Sequence, residues 1–174
     1  MEVNELLEDD HSYYIVTELL EGGELFDKLL EVKNYSEQKA AHIINQVLMA
    51  INYMHKHQMV HRDLKPQNIL ISNVEKLEVK LADFGFSCVF DPKQGLDLGL
   101  GSPMFMAPEL FQKKTYNEKV DIWSVGVILY MLLSGCAPFD GRDQKEVQRK
   151  VLQTEPNLNS KYIRNISDEA KDFI

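Results

Sequence analysis

The sequence predicts an α+β fold in which helices predominate. Short apolar runs with the alternation of strands occur in pairs in the first half of the chain, between Val3 and Leu20 and again between Asn68 and Ala82. The later apolar segments are longer and have the length of helices, about ten residues or more. With 174 residues, 44% hydrophobic and 26% charged, the composition is that of an ordinary globular domain with its own core.

The first 33 residues predict a hairpin followed by a short helix. Val3 to Leu7 and Tyr13 to Leu20 read as strands on either side of the acidic turn EDDHS, which indicates an antiparallel pair. The sequence EGGE then interrupts the second strand. Beyond it, Glu24 to Lys33 has the apolar spacing of a short amphipathic helix.

A longer helix is predicted from its N-cap, Ser36, to about His57. Its apolar residues recur on one face, as expected of a helix packed in the core: Ala40, Ile44, Val47, Leu48, Ile51 and Met54. His55 and His57, with His61 just beyond, raise the alternative of a metal cluster. Residues two apart do not share a helix face, so an ordinary helix end on the surface is the favoured interpretation.

A second hairpin is predicted in the segment HRDLKPQNILISNVEKLEVKLADFG, residues 61 to 85. Folding this hairpin brings its open ends together, so that Asp63, Lys65, Asn68 and Asp83 face one space. A carboxylate and an amide oxygen are hard ligands suited to Mg²⁺, and a lysine suits phosphate oxygens. The second carboxylate remains free to accept a proton, so the pattern favours chemistry on a metal-bound phosphate.

The second half of the chain predicts an irregular segment followed by helices. Residues 86 to 106 have little periodicity, whereas residues 118 to 134 are apolar on nearly every side and predict a central helix. Asp121 lies near the start of that helix, and a buried carboxylate there requires hydrogen-bond donors. Further helices are predicted at 143 to 154 and from Ser167 onward.

Charge and composition exclude several classes of function. A net charge of -8, with most of the excess acid in residues 1 to 31, argues against nucleic acid as a partner. The N-terminus lacks the pattern of a signal peptide, and the longest apolar run is too short for a bilayer. Cys88 and Cys136 have no metal-type spacing and predict free thiols in a reducing compartment. We therefore expect a cytoplasmic protein without a membrane segment.

Two motifs, His61-Arg62-Asp63-Leu64-Lys65-Pro66-Gln67-Asn68 and Asp83-Phe84-Gly85, resemble the catalytic and metal-binding loops of protein kinases. The resemblance implies a protein kinase-like fold that transfers the γ-phosphoryl of ATP to Ser/Thr hydroxyls of proteins. In this interpretation Asp63 orients and deprotonates the substrate hydroxyl, and Lys65 steadies the phosphoryl group. Asn68 and Asp83 are then the Mg²⁺ ligands.

The same resemblance assigns the nucleotide site. It makes Thr17 the gatekeeper and implies that the backbone of Glu18 and Leu20 binds the adenine edge. Glu24 would meet the ribose or a basic residue of the substrate, and Leu70 would also contact the nucleotide. Residues 86 to 106 resemble the activation segment that Ala107-Pro108-Glu109 closes, with Ser102 placed to hydrogen-bond near Asp63.

Three stretches resemble the calcium/calmodulin-dependent and calcium-dependent branch of serine/threonine kinases most closely: ELLEGGELFD, YNEKVDIWSVGVILYMLLSG and SDEAKDFI. This resemblance implies protein substrates, with Glu21, Glu24 and Asp27 favouring basic peptides. Gln67 departs from the glutamate common in such relatives, which weakens that preference. A calcium-sensing domain or calmodulin would act from outside this chain.

Measured against that family, the chain is expected to be truncated at both ends. Residues 1–20 would be a remnant of the small lobe, and residues 21–174 the large lobe without its final helices. The glycine-rich loop and the strand lysine that cover the nucleotide phosphates in the family are missing. The alternative function is therefore a catalytically inactive kinase-like module that binds partners.

The activation segment also predicts an ion pair. Residues 89 to 100 contain no Ser, Thr or Tyr, so phosphorylation within that stretch cannot be the switch. Arg62 would ordinarily seek an anionic partner from this segment, and Asp97 is the acid hypothesised to supply it. A solvated loop acid is an equally good interpretation of Asp97.

Overall fold

The structure is a computed structural model that describes residues 1–163 and 165–174. The strands are β1 (Val3–Glu8), β2 (Tyr13–Thr17), β3 (Met59–Val60), β4 (Ile69–Asn73), β5 (Glu78–Leu81) and β6 (Cys88–Val89). The helices are α1 (Leu25–Val32), α2 (Glu37–Lys56), α3 (Pro108–Phe111), α4 (Lys119–Ser134), α5 (Gln144–Gln153) and α6 (Asp168–Phe173). Helices predominate and the sheets are small, which confirms the predicted α+β class.

The N-terminal hairpin is shorter than predicted, because β2 ends at Thr17 and not at Leu20. The backbone beyond β2 turns away from β1 and joins β4. The Gly22 N–H donates to the Ile71 carbonyl at 3.2 Å, and the Ile71 N–H donates to the Gly23 carbonyl at 2.9 Å. These two hydrogen bonds fix the turn after β2 to the second hairpin.

The core forms around α2 and α4. Ser36 caps α2 as predicted, since its hydroxyl accepts a hydrogen bond from the Lys39 N–H at 3.4 Å. The apolar face of α2 is buried as the periodicity predicts, although Leu48 is only half-buried. Helix α4 is buried along most of its length, which confirms it as a central helix. Burial of these apolar faces is the main force that stabilises the fold.

The segment predicted as a second hairpin forms, with β4 and β5 antiparallel. A 3-10 turn at Pro66–Asn68 precedes β4 and carries Asn68 towards the end of β5. There the Ala82 N–H donates to the Asn68 carbonyl at 2.9 Å. The open ends of the hairpin therefore meet, as the sequence predicts, and this brings the loop that contains Asp63 next to Asp83.

Two short helices complete the described chain. Asp143 caps α5 by accepting from the Glu146 N–H at 2.8 Å, and Ser167 caps α6 by accepting from the Ala170 N–H at 3.2 Å. In residues 1–163 and 165–174, no helix combines the length and the hydropathy needed to cross a membrane.

Candidate active site

The loop of residues 61–68 is fastened to the core by Asp121. This carboxylate is fully buried near the start of α4. Its two oxygens accept hydrogen bonds from the backbone N–H groups of His61 and Arg62, both at 2.9 Å. His55 Nε2 lies 2.8 Å from the same carboxylate. The donors predicted for Asp121 are thus present, and a rigid helix fixes the loop backbone.

Asp63 is the most highly coordinated carboxylate of the site, and only 3% of its surface is exposed. Its Oδ1 accepts from the Ser102 N–H at 2.9 Å and from the Ser102 hydroxyl at 2.8 Å. Its Oδ2 accepts from Lys65 Nζ at 2.7 Å and from Asn68 Nδ2 at 3.3 Å. Four donors on one carboxylate hold it in a single orientation.

These contacts decide the ionisation of Asp63. Burial by itself would raise its pKa, because desolvation disfavours the charged form. The hydrogen bonds from Lys65 and Ser102 outweigh burial and hold the pKa of Asp63 below its ordinary value. The carboxylate is therefore ionised at neutral pH. It is a weak base, so it can take a proton only from a reacting group that has become more acidic.

Asn68 and Asp83 carry oxygen atoms of the kind that Mg²⁺ prefers as ligands. The amide nitrogen of Asn68 donates to the Asp63 carbonyl at 2.9 Å, which orients the amide. Its oxygen accepts no hydrogen bond from the residues that the structure describes. Asp83 is exposed, and its Oδ1 accepts from the Gly85 N–H at 3.2 Å. An oriented amide oxygen and an accessible carboxylate suit a hard divalent cation.

The residues assigned to the nucleotide lie in two neighbouring stretches. Thr17 ends β2, and Glu18 and Leu20 lie in the turn that follows; all three are half-buried. Glu24 forms an isolated antiparallel bridge with Leu70 on β4. Because the same turn is hydrogen-bonded to β4 at Ile71, the structure brings these stretches together.

An ion pair that the sequence interpretation missed joins the turn after β2 to β5. Lys80 Nζ on β5 lies 2.8 Å and 2.7 Å from the two carboxylate oxygens of Glu18. The Lys80 contact, followed by the hydrogen bond from the Glu2 backbone, lowers the pKa of Glu18. Lys80 is a polar residue in an otherwise strand-like run, which is a common surface pattern and gives no signal of a partner 62 residues away.

The three histidines near the end of α2 have separate partners. His55 contacts Asp121, and His57 Nδ1 lies 2.8 Å from the Tyr53 carbonyl. His61 is fully buried, with Nε2 3.3 Å from the Ala82 carbonyl. In the part of the chain that the structure describes, no group of three His, Cys, Asp or Glu side chains is placed to hold a metal.

The hypothesis of an ion pair between Arg62 and Asp97 is wrong in this structure. No salt bridge between described residues involves Arg62. Its Nε donates to the Phe86 carbonyl at 2.6 Å, and its Nη1 lies 3.4 Å from the Tyr116 hydroxyl. Both of these acceptors are neutral, and neither belongs to Asp97. The sequence interpretation gave Tyr116 no role.

Comparison with known proteins places this site in a family. The model of the protein kinase domain matches residues 1–174. Calcium-dependent protein kinase 4 of Plasmodium berghei (strain Anka) is 44% identical over 176 aligned positions, which cover 100% of this chain and 33% of the relative. Myosin light chain kinase A of Dictyostelium discoideum is 40% identical over 173 positions, which cover 99% of this chain and 59% of the relative.

The chain belongs to the protein kinase family, and the resemblance seen in the sequence is confirmed. Its relatives include calcium-dependent and myosin light chain kinases. The chain spans about a third of the length of the calcium-dependent relative. Protein kinases as a family use ATP and Mg²⁺, which agrees with the donor set at Asn68 and Asp83.

Proposed function

We propose that this chain carries the phosphoryl-transfer site of an ATP-dependent serine/threonine protein kinase. The observation that carries the proposal is the arrangement at Asp63, where an ionised carboxylate is held by Lys65 on one oxygen and by Ser102 on the other. A buried and oriented carboxylate beside a cation is suited to receive a hydroxyl and to place it against a phosphoryl group.

The low pKa of Asp63 limits what it can do to the proton. It orients the substrate hydroxyl first, and takes the proton only as bond formation to phosphorus makes that hydroxyl more acidic. Lys65 Nζ has Asp63 and Ser102 as partners, and a phosphoryl oxygen can replace either of them. The ammonium group then stabilises negative charge on the transferring group.

For the nucleotide, we assign the adenine edge to the backbone of Glu18 and Leu20, with Thr17 as gatekeeper. Glu24 and Leu70, which share a backbone bridge, would flank the ribose and the base. Asn68 and Asp83 would hold Mg²⁺, which when bound neutralises charge on the phosphates. In this assignment residues 1–20 belong to the small lobe and residues 21–174 to the large lobe.

Substrates and regulation follow from charge and from the relatives. Glu21, Glu24 and Asp27 favour basic residues in protein substrates, and the neutral Gln67 makes that preference weaker than a glutamate would. Relatives named calcium-dependent kinases support control by a calcium-sensing domain or by calmodulin outside this chain. A cytoplasmic location is part of the same proposal.

A phosphotransfer assay on arrayed serine and threonine peptides with ATP and Mg²⁺ tests the function. Asp63→Asn should reduce the rate by about 10²-fold or more, because the amide cannot accept the proton. Asp10→Asn, in the exposed turn of the first hairpin, should leave it unchanged. Equal and undetectable rates in folded wild-type protein and Asp63→Asn would instead favour the inactive binding module.

A further inference from the structure

The segment of residues 86–102 is held against the rest of the domain at several points along its length. At its start, β6 pairs with β3, and the Phe90 N–H donates to the Gln58 carbonyl at 2.9 Å. At its end, Ser102 is bonded to Asp63 through both its N–H and its hydroxyl. The middle of the segment is anchored by the side chain of Tyr116.

Tyr116 binds the segment through its backbone and through its side chain. Its N–H donates to the Leu96 carbonyl at 2.8 Å, and its carbonyl accepts from the Leu96 N–H at 2.9 Å. Its hydroxyl donates to the Leu98 carbonyl at 2.7 Å and lies 3.4 Å from Arg62 Nη1. Tyr116 is 5% exposed, so these polar contacts are shielded from water.

Two glycines permit this close approach. Gly95 has φ +71, and a Cβ there would lie 2.5 Å from Thr115 Cγ2 and 2.9 Å from the Tyr116 carbonyl oxygen. Gly101 has φ +127, and a Cβ there would lie 2.6 Å from the Arg62 carbonyl oxygen. Any larger residue would push the segment away from Tyr116 or from Arg62.

In this arrangement Arg62 has no anionic partner among the described residues. Its guanidinium is bonded to one carbonyl and faces one hydroxyl, both neutral. The stretch from residue 89 to residue 100 has no hydroxyl that could be phosphorylated. Tyr116 thus gives Arg62 a neutral partner in a segment where a phosphate or a carboxylate could otherwise pair with it.

We propose that Tyr116 is a positioning residue that holds residues 86–102 on the catalytic loop through Arg62, so that this segment is ordered without phosphorylation. Arg62 precedes Asp63, and Ser102 at the end of the segment is bonded to Asp63. Loss of the Tyr116 hydroxyl therefore loosens both sides of the catalytic carboxylate. This last consequence rests on the proposed kinase function, whereas the ordering of the segment does not.

Amide hydrogen exchange of the full chain, read by mass spectrometry, tests the ordering directly. Tyr116→Phe should speed exchange in peptides covering residues 91–102 on the order of threefold to tenfold, because one buried hydrogen bond to Leu98 is lost. Tyr130→Phe is the matched control, since its buried hydroxyl also donates to a backbone carbonyl, that of Asn157, at 3.2 Å. Equal exchange in the two variants would overturn the proposal.

Two further experiments measure exchange in the same peptides: the Gly95→Ala variant and phosphatase treatment. Gly95→Ala should speed their exchange, because its Cβ collides with Tyr116; unchanged exchange there would count against the proposal. Phosphatase treatment of the wild-type chain should leave these peptides unchanged. Faster exchange after treatment would show that a phosphate on Ser87 or Ser102 orders the segment, and the proposal would fail.

Kinetics separates this inference from the proposed function. In an active chain Tyr116→Phe should lower kcat about tenfold while KM for ATP stays within about twofold, because positioning and not nucleotide binding is disturbed. An unchanged kcat would refute the positioning role. A wild-type chain without activity would refute the proposed function, while the exchange experiment would still decide whether Tyr116 orders the segment.

Discussion

The Asp121 carboxylate is fully buried, and each of its oxygens accepts a hydrogen bond from a backbone N–H of the loop of residues 61–68. A loop with Arg62 at φ 69 has a backbone conformation that most side chains disfavour. The two hydrogen bonds compensate for this cost and keep the loop in one conformation. One side chain on α4 therefore determines where Asp63, on a different part of the chain, is placed.

Asp121→Asn should lower the free energy of unfolding by about 2 to 3 kcal/mol, because an amide NH₂ then faces a buried backbone N–H. Urea denaturation measures the change. Asp10→Asn, in the exposed turn of the hairpin, is the control and should stay within about 0.5 kcal/mol of wild type. Equal stability of the two variants would show that the loop of residues 61–68 keeps its conformation without the Asp121 carboxylate.

His61 predicts a pH dependence of stability. Burial lowers its pKa below 6.5 and outweighs the nearby Asp121. As the pH falls below about 6.5, His61 binds a proton in the unfolded chain but stays neutral in the folded chain. The free energy of unfolding therefore decreases. One such group contributes at most about 1.4 kcal/mol per pH unit.

The test is the slope of unfolding free energy between about pH 7 and pH 5.5, on either side of the ordinary histidine pKa. His61→Phe should reduce that slope, because the buried group no longer titrates in the unfolded state. His11→Phe removes a histidine from the exposed hairpin turn and should leave the slope as it is. A slope unaffected by His61→Phe would mean that other groups dominate acid destabilisation.

At the scale of elements, the first hairpin and the second are joined by the Glu18–Lys80 pair and by the hydrogen bonds around Ile71. Lys80 contacts both carboxylate oxygens of Glu18, but the pair is partly exposed to solvent. It therefore orients the two hairpins more than it stabilises the fold. Lys80 lies on β5, three residues before Asp83. The pair thus links the proposed adenine edge to the proposed metal ligand.

Lys80→Met should speed amide exchange in β2 by about twofold to fivefold, since the ion pair that ties the residue after β2 to β5 is lost. The double variant Glu18→Lys/Lys80→Glu should restore the slow exchange. Lys76→Met is the matched control, because Lys76 is in the same hairpin and its contact with Glu78 is weak, at 4.0 Å. Failure of the double variant to restore exchange would argue against the pair.

The elements show what local sequence can and cannot predict. Helices α2 and α4 and the hairpin of β4 and β5 were predictable, because apolar periodicity and caps are local signals. The end of β2 was predicted too late, since its strand-like residues continue while the backbone leaves β1 to join β4. Hydrogen bonds with distant β4 decide that boundary, and propensity does not.

Side-chain partners were harder to predict than positions. Asp63, Lys65 and Asn68 are joined by hydrogen bonds within one short loop, and the tight hairpin of β4 and β5 brings Ala82, next to Asp83, back to Asn68. The partner of Arg62 was predicted wrongly, since charge alone suggested Asp97 and neutral acceptors took its place. The contacts of Lys80 and Tyr116 span 62 and 18 residues and leave no local trace.

The hairpin of β1 and β2 exposes several large apolar side chains. Both strands are exposed on both faces, with Leu6 and its cross-strand partner Ile15 each 65% exposed. Contiguous apolar side chains on a two-stranded sheet promote association with other surfaces. The acidic residues around them oppose self-association through charge repulsion.

Leu6→Asp should roughly halve the fluorescence of a bound hydrophobic dye and lower light scattering at high salt, because it interrupts this apolar surface. Leu30→Asp is the control, since Leu30 is 64% exposed but lies on α1, away from the hairpin. Equal decreases in the two variants would place the dye-binding surface elsewhere.

The hydroxyl of Ser102 has a consequence for selectivity. It donates to Asp63 at 2.8 Å and accepts from Lys65 at 3.1 Å, so it lies between the group proposed to orient the substrate hydroxyl and the group proposed to stabilise the phosphoryl. A substrate hydroxyl therefore meets a carboxylate that already has four donors. A weakly bound hydroxyl, water included, gains little there, so productive binding depends on contacts that the substrate makes elsewhere.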